Sequence, residues 1–235
     1  MKIFVIHPDK FKARGEHIDC MLKGMDYEFI SEGHDEQQIA AYIDKYLCDG
    51  REQLHRPVPR ALCTISHLLA CERIVADGLE GALILEDDIV LHKIFLPRFE
   101  QSIKEYREHY ADKKVLISYE DSSLKFVPRS QREKGRMLYQ AMKGRMAGAY
   151  FINHHAAKAI LERLNKQRSD LAIDLYHYEL IKEGFLLCLW CQPALATQGS
   201  FTGQFPSALS SRKDRMIAFN WWLKKNYKQL LYWFR

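Results

Sequence analysis

The chain has no run of apolar residues approaching the ~20 that a bilayer-spanning helix requires, so nothing in its 235 residues reads as a transmembrane segment. It also lacks the succession of basic, apolar and small residues that marks a secretory leader. The first residues pass directly into the strand-like Ile3-Phe4-Val5-Ile6. These two absences lead to the expectation of a cytoplasmic protein. Internal repeats and low-complexity stretches are missing, and net charge is small at +5, with Lys and Arg gathering only after residue 212. With 47% hydrophobic residues, the composition is that of a folded α/β-sized globular domain rather than a disordered or fibrous chain. Cysteine is sparse: of six, only Cys188 and Cys191 form a Cys-x-x-Cys, and no second pair stands at zinc-finger spacing. That pair lies in the apolar run Phe185–Cys191, which reads as a buried strand, whereas a redox pair normally sits at a helix N-terminus. Cys20, Cys48, Cys63 and Cys71 fall in helix-like stretches and read as small buried hydrophobes.

What is present alternates between strand and helix signals, which argues for a mostly parallel sheet with helices on its faces. Strands are expected at 3–6, 27–30, 82–85, 115–119, 149–152 and 185–191. Helices are expected at 11–24, 36–47, 59–76 and 155–165, and from Asp174 to Gly184. Gly24 and Gly78 are placed as helix stops. Residues 49–59 read as a loop, and residues 121–147, polar and poorly periodic, as a long loop or lid.

The apolar run Ala82-Leu-Ile-Leu85 ends abruptly in Glu86-Asp87-Asp88. Three adjacent carboxylates repel one another and raise each other's pKa. A divalent cation offsets that repulsion, and Mg²⁺ or Mn²⁺ takes oxygen ligands from one or two carboxylates plus substrate phosphates. In open α/β sheets ligands sit at the carboxyl ends of strands. The same three charges also suit a solvated acidic turn.

The segment Cys63-Thr-Ile-Ser66-His67, followed about twenty residues later by an apolar strand ending in Glu86-Asp87-Asp88, resembles glycosyltransferase family 25. Other segments resemble that family in the same order: Val5-Ile6-His7-Pro8 with Arg14, Gly148-Ala149-Tyr150-Phe151-Ile152, Ile173-Asp174-Leu175, and Pro193 through Gln198. The resemblance covers roughly residues 1–200. It implies a Rossmann-like nucleotide-sugar transferase type A (GT-A) fold and an enzyme of bacterial lipopolysaccharide, lipooligosaccharide or capsule biosynthesis. UDP-galactose is the commonest donor in the family, and a lipid-linked or oligosaccharide acceptor is implied. By the same resemblance Asp88 would coordinate Mn²⁺ (or Mg²⁺) bridging the donor phosphates, Glu86 would face the ribose or uracil side, and Asp87 would assist either. Ile6, His7, Arg14, Ser66, His67 and Gln198 are then donor-site candidates. Many type A transferases use a further metal-binding histidine near the C-terminal end. The stretch after Gln198, Gly-Ser-Phe-Thr-Gly-Gln, has none.

The family is described as inverting, which requires a general base on the acceptor hydroxyl. Asp174, an isolated carboxylate at the expected N-cap of a helix, is the first candidate; helix capping, worth about 1 kcal/mol, is its plain structural role. Glu120 and Asp121, after the 115–119 strand, are the alternatives. Ser66 and His67 do not form a nucleophile–base pair, because neighbours on a helix do not face each other. His67 is as readily a core histidine with a buried hydrogen bond.

Residues 1–211 form the expected transferase domain and 212–235 a basic, aromatic tail. On a helix, Phe219, Leu223, Tyr227, Leu230 and Phe234 share one face, with Lys224, Lys228 and Arg235 opposite and Lys225 beside them. Such a helix suits an anionic membrane surface, or a final helix docked on the core. This leads to the expectation of a peripheral protein on the inner face of the cytoplasmic membrane. The positive charge is too local to favour nucleic acid. A non-catalytic nucleotide-sugar or carbohydrate-binding protein is the alternative reading.

Overall fold

The computed structural model describes residues 1–31, 36–48, 59–205 and 214–234, with the side chains of 214–218 left aside. The expected 49–59 loop lies almost wholly outside the described residues, as do Arg235 and the junction at 211–212.

The chain opens with β1 (Lys2–Ile6), α1 (Lys12–Met21), β2 (Tyr27–Ile30), α2 (Glu36–Tyr46) and α3 (Pro59–Ala76). It continues through β3 (Gly81–Glu86), β4 (Ile89–Leu91), α4 (Phe95–His109), β5 (Val115–Ser118), β6 (Leu138–Ala141) and β7 (Ala149–Asn153). After α5 (His154–Lys166) and α6 (Ile173–Lys182) come β8 (Leu187–Cys191), β9 (Ala196–Gln198), the short α7 (Gly199–Thr202) and α8 (Asp214–Trp233). Pro59 opens α3, where its missing N–H costs no hydrogen bond. Gly24 and Gly78 follow α1 and α3 with φ of +84° and +59°, the left-handed geometry that glycine supplies at a helix stop.

Seven strands form the main sheet in the order β2-β1-β3-β7-β5-β8-β6. β1, β2, β3, β5 and β8 run one way, while β7 and β6 run against them. The expected mostly parallel α/β sheet flanked by helices is therefore present. Two apolar layers cover its faces. Phe4, Ile84, Ile152 and Cys188 pack with α3, α5 and α6 on one side. Val5, Leu83, Phe151 and Cys191 pack with α1 and α4 on the other. The odd spacing of Cys188 and Cys191 thus sends the two thiols to opposite faces, following the period of two along a strand. Burial raises both to about 12, so neither is a ready thiolate nor can the pair share a metal.

The 121–147 segment is not wholly loop. It contains a 3-10 turn at Arg129–Gln131 and β6, which pairs antiparallel with β8 and closes one edge of the sheet. Four residues alternate too briefly to signal a strand; β6 is recruited by pairing with its neighbour. β4 and β9 form a separate two-stranded antiparallel sheet, Ile89 opposite Gln198, at the carboxyl end of the main one. This small sheet brings the residue after Asp88 beside the C-terminal stretch.

Where β3 meets β7 the backbones leave no room for a side chain. A Cβ on Gly81 would lie 2.5 Å from the Phe151 ring and 2.6 Å from the Ile152 carbonyl oxygen. Gly81→Ala is expected to lose about 1–3 kcal/mol of stability through overpacking, measured by urea denaturation.

Candidate active site

β1, β3 and β5 run in the same direction, so residues at their carboxyl ends meet at one rim of the sheet: His7 after β1, Glu86 to Asp88 at β3, Glu120 and Asp121 after β5. β7 enters from that rim with Gly148 and Ala149, and β9 brings Gln198. Backbone bonds fix the acidic run in place. Glu86 N–H donates to the Gly148 carbonyl (2.9 Å), Asp87 N–H to the Ile6 carbonyl (3.1 Å), and Gly199 N–H to the Asp88 carbonyl (2.6 Å). A Cβ on Gly199 would stand 2.8 Å from that Asp88 oxygen, so the close approach requires glycine.

The three carboxylates have different surroundings. Asp87 is buried and held from two sides, by Arg14 Nη1 at 2.7 Å and His7 Nδ1 at 2.9 Å. Glu86 accepts a bond from Gln198 Nε2 (2.6 Å) and has His67 Nε2 3.6 Å from its other oxygen. Asp88 is 5% exposed; Ser200 N–H donates to its Oδ2 at 3.3 Å, and its Oδ1 has no partner. Burial, then the neighbouring Glu86 charge, pushes its pKa up to about 6. A buried, half-satisfied carboxylate beside two others fits a hard divalent cation, whose charge would replace the missing partner.

The structure thus brings together Ile6, His7, Arg14, Glu86, Asp87, Asp88 and Gln198. His67 joins them from α3, its Nδ1 paired with the Tyr150 hydroxyl at 2.9 Å. Ser66, next to it, bonds back to the Leu62 carbonyl (3.1 Å) and does not address His67. Asp174 does not cap its helix. Ala172 is the N-cap residue of α6, and Asp174 lies in the first turn with Oδ1 accepting from Leu175 N–H (2.9 Å). It stands one turn before His177, whose ring packs edge-on against Tyr150 at 5.3 Å. A continuous set of contacts, from His177 through Tyr150 and His67, therefore connects this part of α6 to Glu86. Burial and the nearby His67 depress the pKa of His177 to about 3, so its imidazole is neutral.

Glu120 is fully buried with Oε1 accepting from Gly148 N–H (2.7 Å). Burial and the Glu86 charge push its pKa up to about 8, against the opposing Ser122 bond. Asp121 accepts from the Thr197 hydroxyl (2.6 Å) and is ion-paired with Lys225 of α8 at 2.7 Å. Ser122 accepts from Gln198 N–H at 3.0 Å. Arg145, 5% exposed, reaches the Ser118 and Cys191 carbonyls with Nη1 and leaves Nε and Nη2 without partners. Ser122 and Arg145 carry no sequence signal of a site role, because their partners lie far along the chain; Tyr150 and Thr197 lie in segments that resemble the family, but their partners are equally distant.

Asp88 and Glu120 both hold their protons more tightly in the fold than in the unfolded chain. Native protein therefore binds more protons between about pH 4 and pH 8, and the stability from these groups falls as pH rises through about 6 and about 8. In chelator, the urea midpoint is expected to drop from roughly pH 5 to roughly pH 8.5, with Glu120→Gln flattening the upper part of the slope. Adding Mn²⁺ should raise the midpoint at the alkaline end, since a cation favours ionised Asp88.

The family model described as "Glycosyltransferase family 25 (LPS biosynthesis protein)" matches residues 1–177. No curated protein matches significantly. Among solved structures, the galactosyltransferase LgtC in complex with donor and acceptor sugar analogues is 10% identical. That alignment covers 98% of this chain and 96% of LgtC, with a TM-score of 0.43. A197 from STIV is 18% identical over 80% of each chain, TM-score 0.42. A glycosyltransferase involved in glycosylation of the PBCV-1 major capsid is 11% identical over 93% of this chain and 98% of the other, TM-score 0.31. Likeness at that level says nothing about donor or acceptor. The family match, spanning the β1 end, the Ser66-His67 helix, the acidic run and Asp174, shows that the chain belongs to glycosyltransferase family 25.

Proposed function

We propose that this glycosyltransferase moves a hexose, galactose from UDP-galactose, onto a saccharide acceptor of lipopolysaccharide, lipooligosaccharide or capsule, with inversion at the anomeric carbon. The observation that carries the reading is Asp88: a buried carboxylate with an unsatisfied oxygen at the carboxyl end of β3, in the family's Glu-Asp-Asp. Mn²⁺ or Mg²⁺ held at Asp88 would supply Lewis-acid neutralisation of the departing diphosphate. Glu86, oriented by Gln198, lies on the nucleoside side in this reading. Asp87 contributes by fixing the turn through Arg14 and His7.

The acceptor hydroxyl oxygen attacks the anomeric carbon, the bond from that carbon to the diphosphate oxygen breaks, and its electron pair leaves with UDP. The hydroxyl proton passes to a carboxylate, for which we assign Asp174. The other two candidates are less suited. Glu120, raised to about 8, is protonated at neutral pH, and Asp121 is already tied to Lys225 and Thr197. The first experiment follows UDP release across a donor panel with and without Mn²⁺. Metal-dependent turnover is expected from UDP-galactose, lowered about 10²–10⁴-fold in Asp174→Asn with donor binding retained. Asp88→Asn should abolish Mn²⁺-dependent UDP binding. Donor binding without turnover in the presence of acceptor would favour a carbohydrate-binding protein instead.

We also place the enzyme on an anionic membrane surface through α8. Among the described residues, no helix is long and apolar enough to cross a membrane. α8 docks by Trp221, whose indole donates to the Ser122 carbonyl (3.1 Å), by Lys225, and by Tyr232 against Phe126. The opposite row, Phe219, Leu223, Tyr227, Leu230 and Phe234, is 45% to 80% exposed. Docking on the core and an outward apolar face thus coexist, and the outward face suits an interfacial helix. Flotation with anionic vesicles is expected for the native chain and lost in Leu223→Glu/Leu230→Glu, whose exposed sites leave the fold unchanged. Equal flotation of the two would remove this placement.

A further inference from the structure

A second cluster beside the acidic run has a donor set of a different kind. Cys63 and His67 stand one helical turn apart on α3, and their side chains converge with Glu86 so that one potential ligand atom of each lies within 4.8 Å of the others. His67 is completely buried, and its Nε2 has no hydrogen-bond partner. That nitrogen points at Glu86 Oε1 from 3.6 Å, too far for a hydrogen bond. It is close to the spacing of two ligands on one tetrahedral ion, which is about 3.4 Å when each lies about 2.1 Å from the metal.

We propose that Cys63, His67 and Glu86 form a transition-metal site selective for Zn²⁺, separate from the oxygen-only site at Asp88. Thiolate, imidazole and carboxylate together are a donor set for zinc rather than for Mg²⁺ or Mn²⁺. The surroundings already hold two of the ligands in position. The Tyr150 hydroxyl lies 2.9 Å from His67 Nδ1; with the proton on Nδ1, the Nε2 lone pair faces Glu86. Gln198 Nε2 donates to the second Glu86 oxygen at 2.6 Å, leaving Oε1 to the ion. Three protein ligands leave a fourth position for water, the arrangement of an open rather than a closed zinc site. The ion would join α3 to the end of β3 and fix the Glu86 carboxylate at the edge of the cleft. Nothing in this inference depends on the donor sugar or on the base.

The test uses the whole metal-free protein titrated with Co²⁺ as a spectroscopic substitute for Zn²⁺. Binding should give sulfur-to-cobalt charge-transfer absorption in the near ultraviolet together with visible bands of tetrahedral intensity, both removed by added Zn²⁺. Cys63→Ser, at a half-buried position that tolerates the change, should lose the charge-transfer absorption. Cys20→Ser/Cys48→Ser should keep it, which excludes thiols elsewhere on the surface. Asp88→Asn should also keep it while losing Mn²⁺-dependent UDP binding, so the two cation sites fail or hold independently. The thermal midpoint should rise with Zn²⁺ in the native chain and not in Cys63→Ser. Absence of the charge-transfer band in the native protein, or its persistence in Cys63→Ser, would overturn the assignment.

Discussion

The ion pair of Asp87 with Arg14, together with its hydrogen bond to His7, is the constraint on which the site depends. Without it, three consecutive carboxylates at the end of a buried strand would repel one another, and the middle one would be an uncompensated charge at 3% exposure. Arg14 comes from the first turn of α1 and His7 from the end of β1, so the pair also ties the N-terminal unit to β3. Breaking a buried pair of this kind typically costs about 3–5 kcal/mol, because the remaining charge loses its partner. With Asp87 paired, Asp88 keeps one buried oxygen without a hydrogen-bond partner.

The two flanking carboxylates then acquire different characters from what lies beside them. Glu86 meets the helix carrying Cys63 and His67 and is gripped by Gln198. Asp88 meets the backbone of α7 and keeps one bare oxygen. Beneath them Glu120 is held nearly water-free, and its raised pKa lets it sit close to Glu86 without adding another full negative charge at neutral pH. Asp121, at the rim, is neutralised by Lys225 from α8 instead. The acidic rim is thus held by local pairs at Asp87 and Asp121 and by the raised pKa of Glu120, while Asp88 keeps an oxygen without a partner. Its geometry is mostly backbone-fixed, which favours preorganised electrostatics over rearrangement on binding.

α8 belongs to this rim as well as to the surface. Its inward row of Trp221, Lys225 and Tyr232 contacts Ser122, Asp121 and Phe126, residues at the start of the segment that follows β5. α8 therefore closes one side of a polar cleft while exposing a row of large apolar side chains. Spacings of three and four put both rows on one helix, and the inward row is the one that meets Ser122, Asp121 and Phe126.

Much of this was legible in the sequence wherever a signal is local. Hydrophobic periodicity placed β1, α1, β2, α2, α3 and β3 to within a few residues, and glycines marked the ends of α1 and α3. The abrupt change from Ala82-Leu-Ile-Leu85 to Glu86-Asp87-Asp88 marked the carboxylate cluster at the end of β3, and the order of motifs gave the family. The apolar run around Cys188 and Cys191, far from a helix N-terminus, also spoke against a redox pair there. Tertiary structure decided what depends on residues distant in the chain: β6, formed only by pairing with β8; the pairing of β4 with β9 that sets Gln198 beside Glu86; and the different partners of three adjacent carboxylates. The convergence of Cys63 and His67 with Glu86 is of the same kind. A sequence fixes which chemical groups are available and their local periodicity, whereas charge neutralisation, burial and metal geometry depend on distances that exist only once the strands and helices have packed.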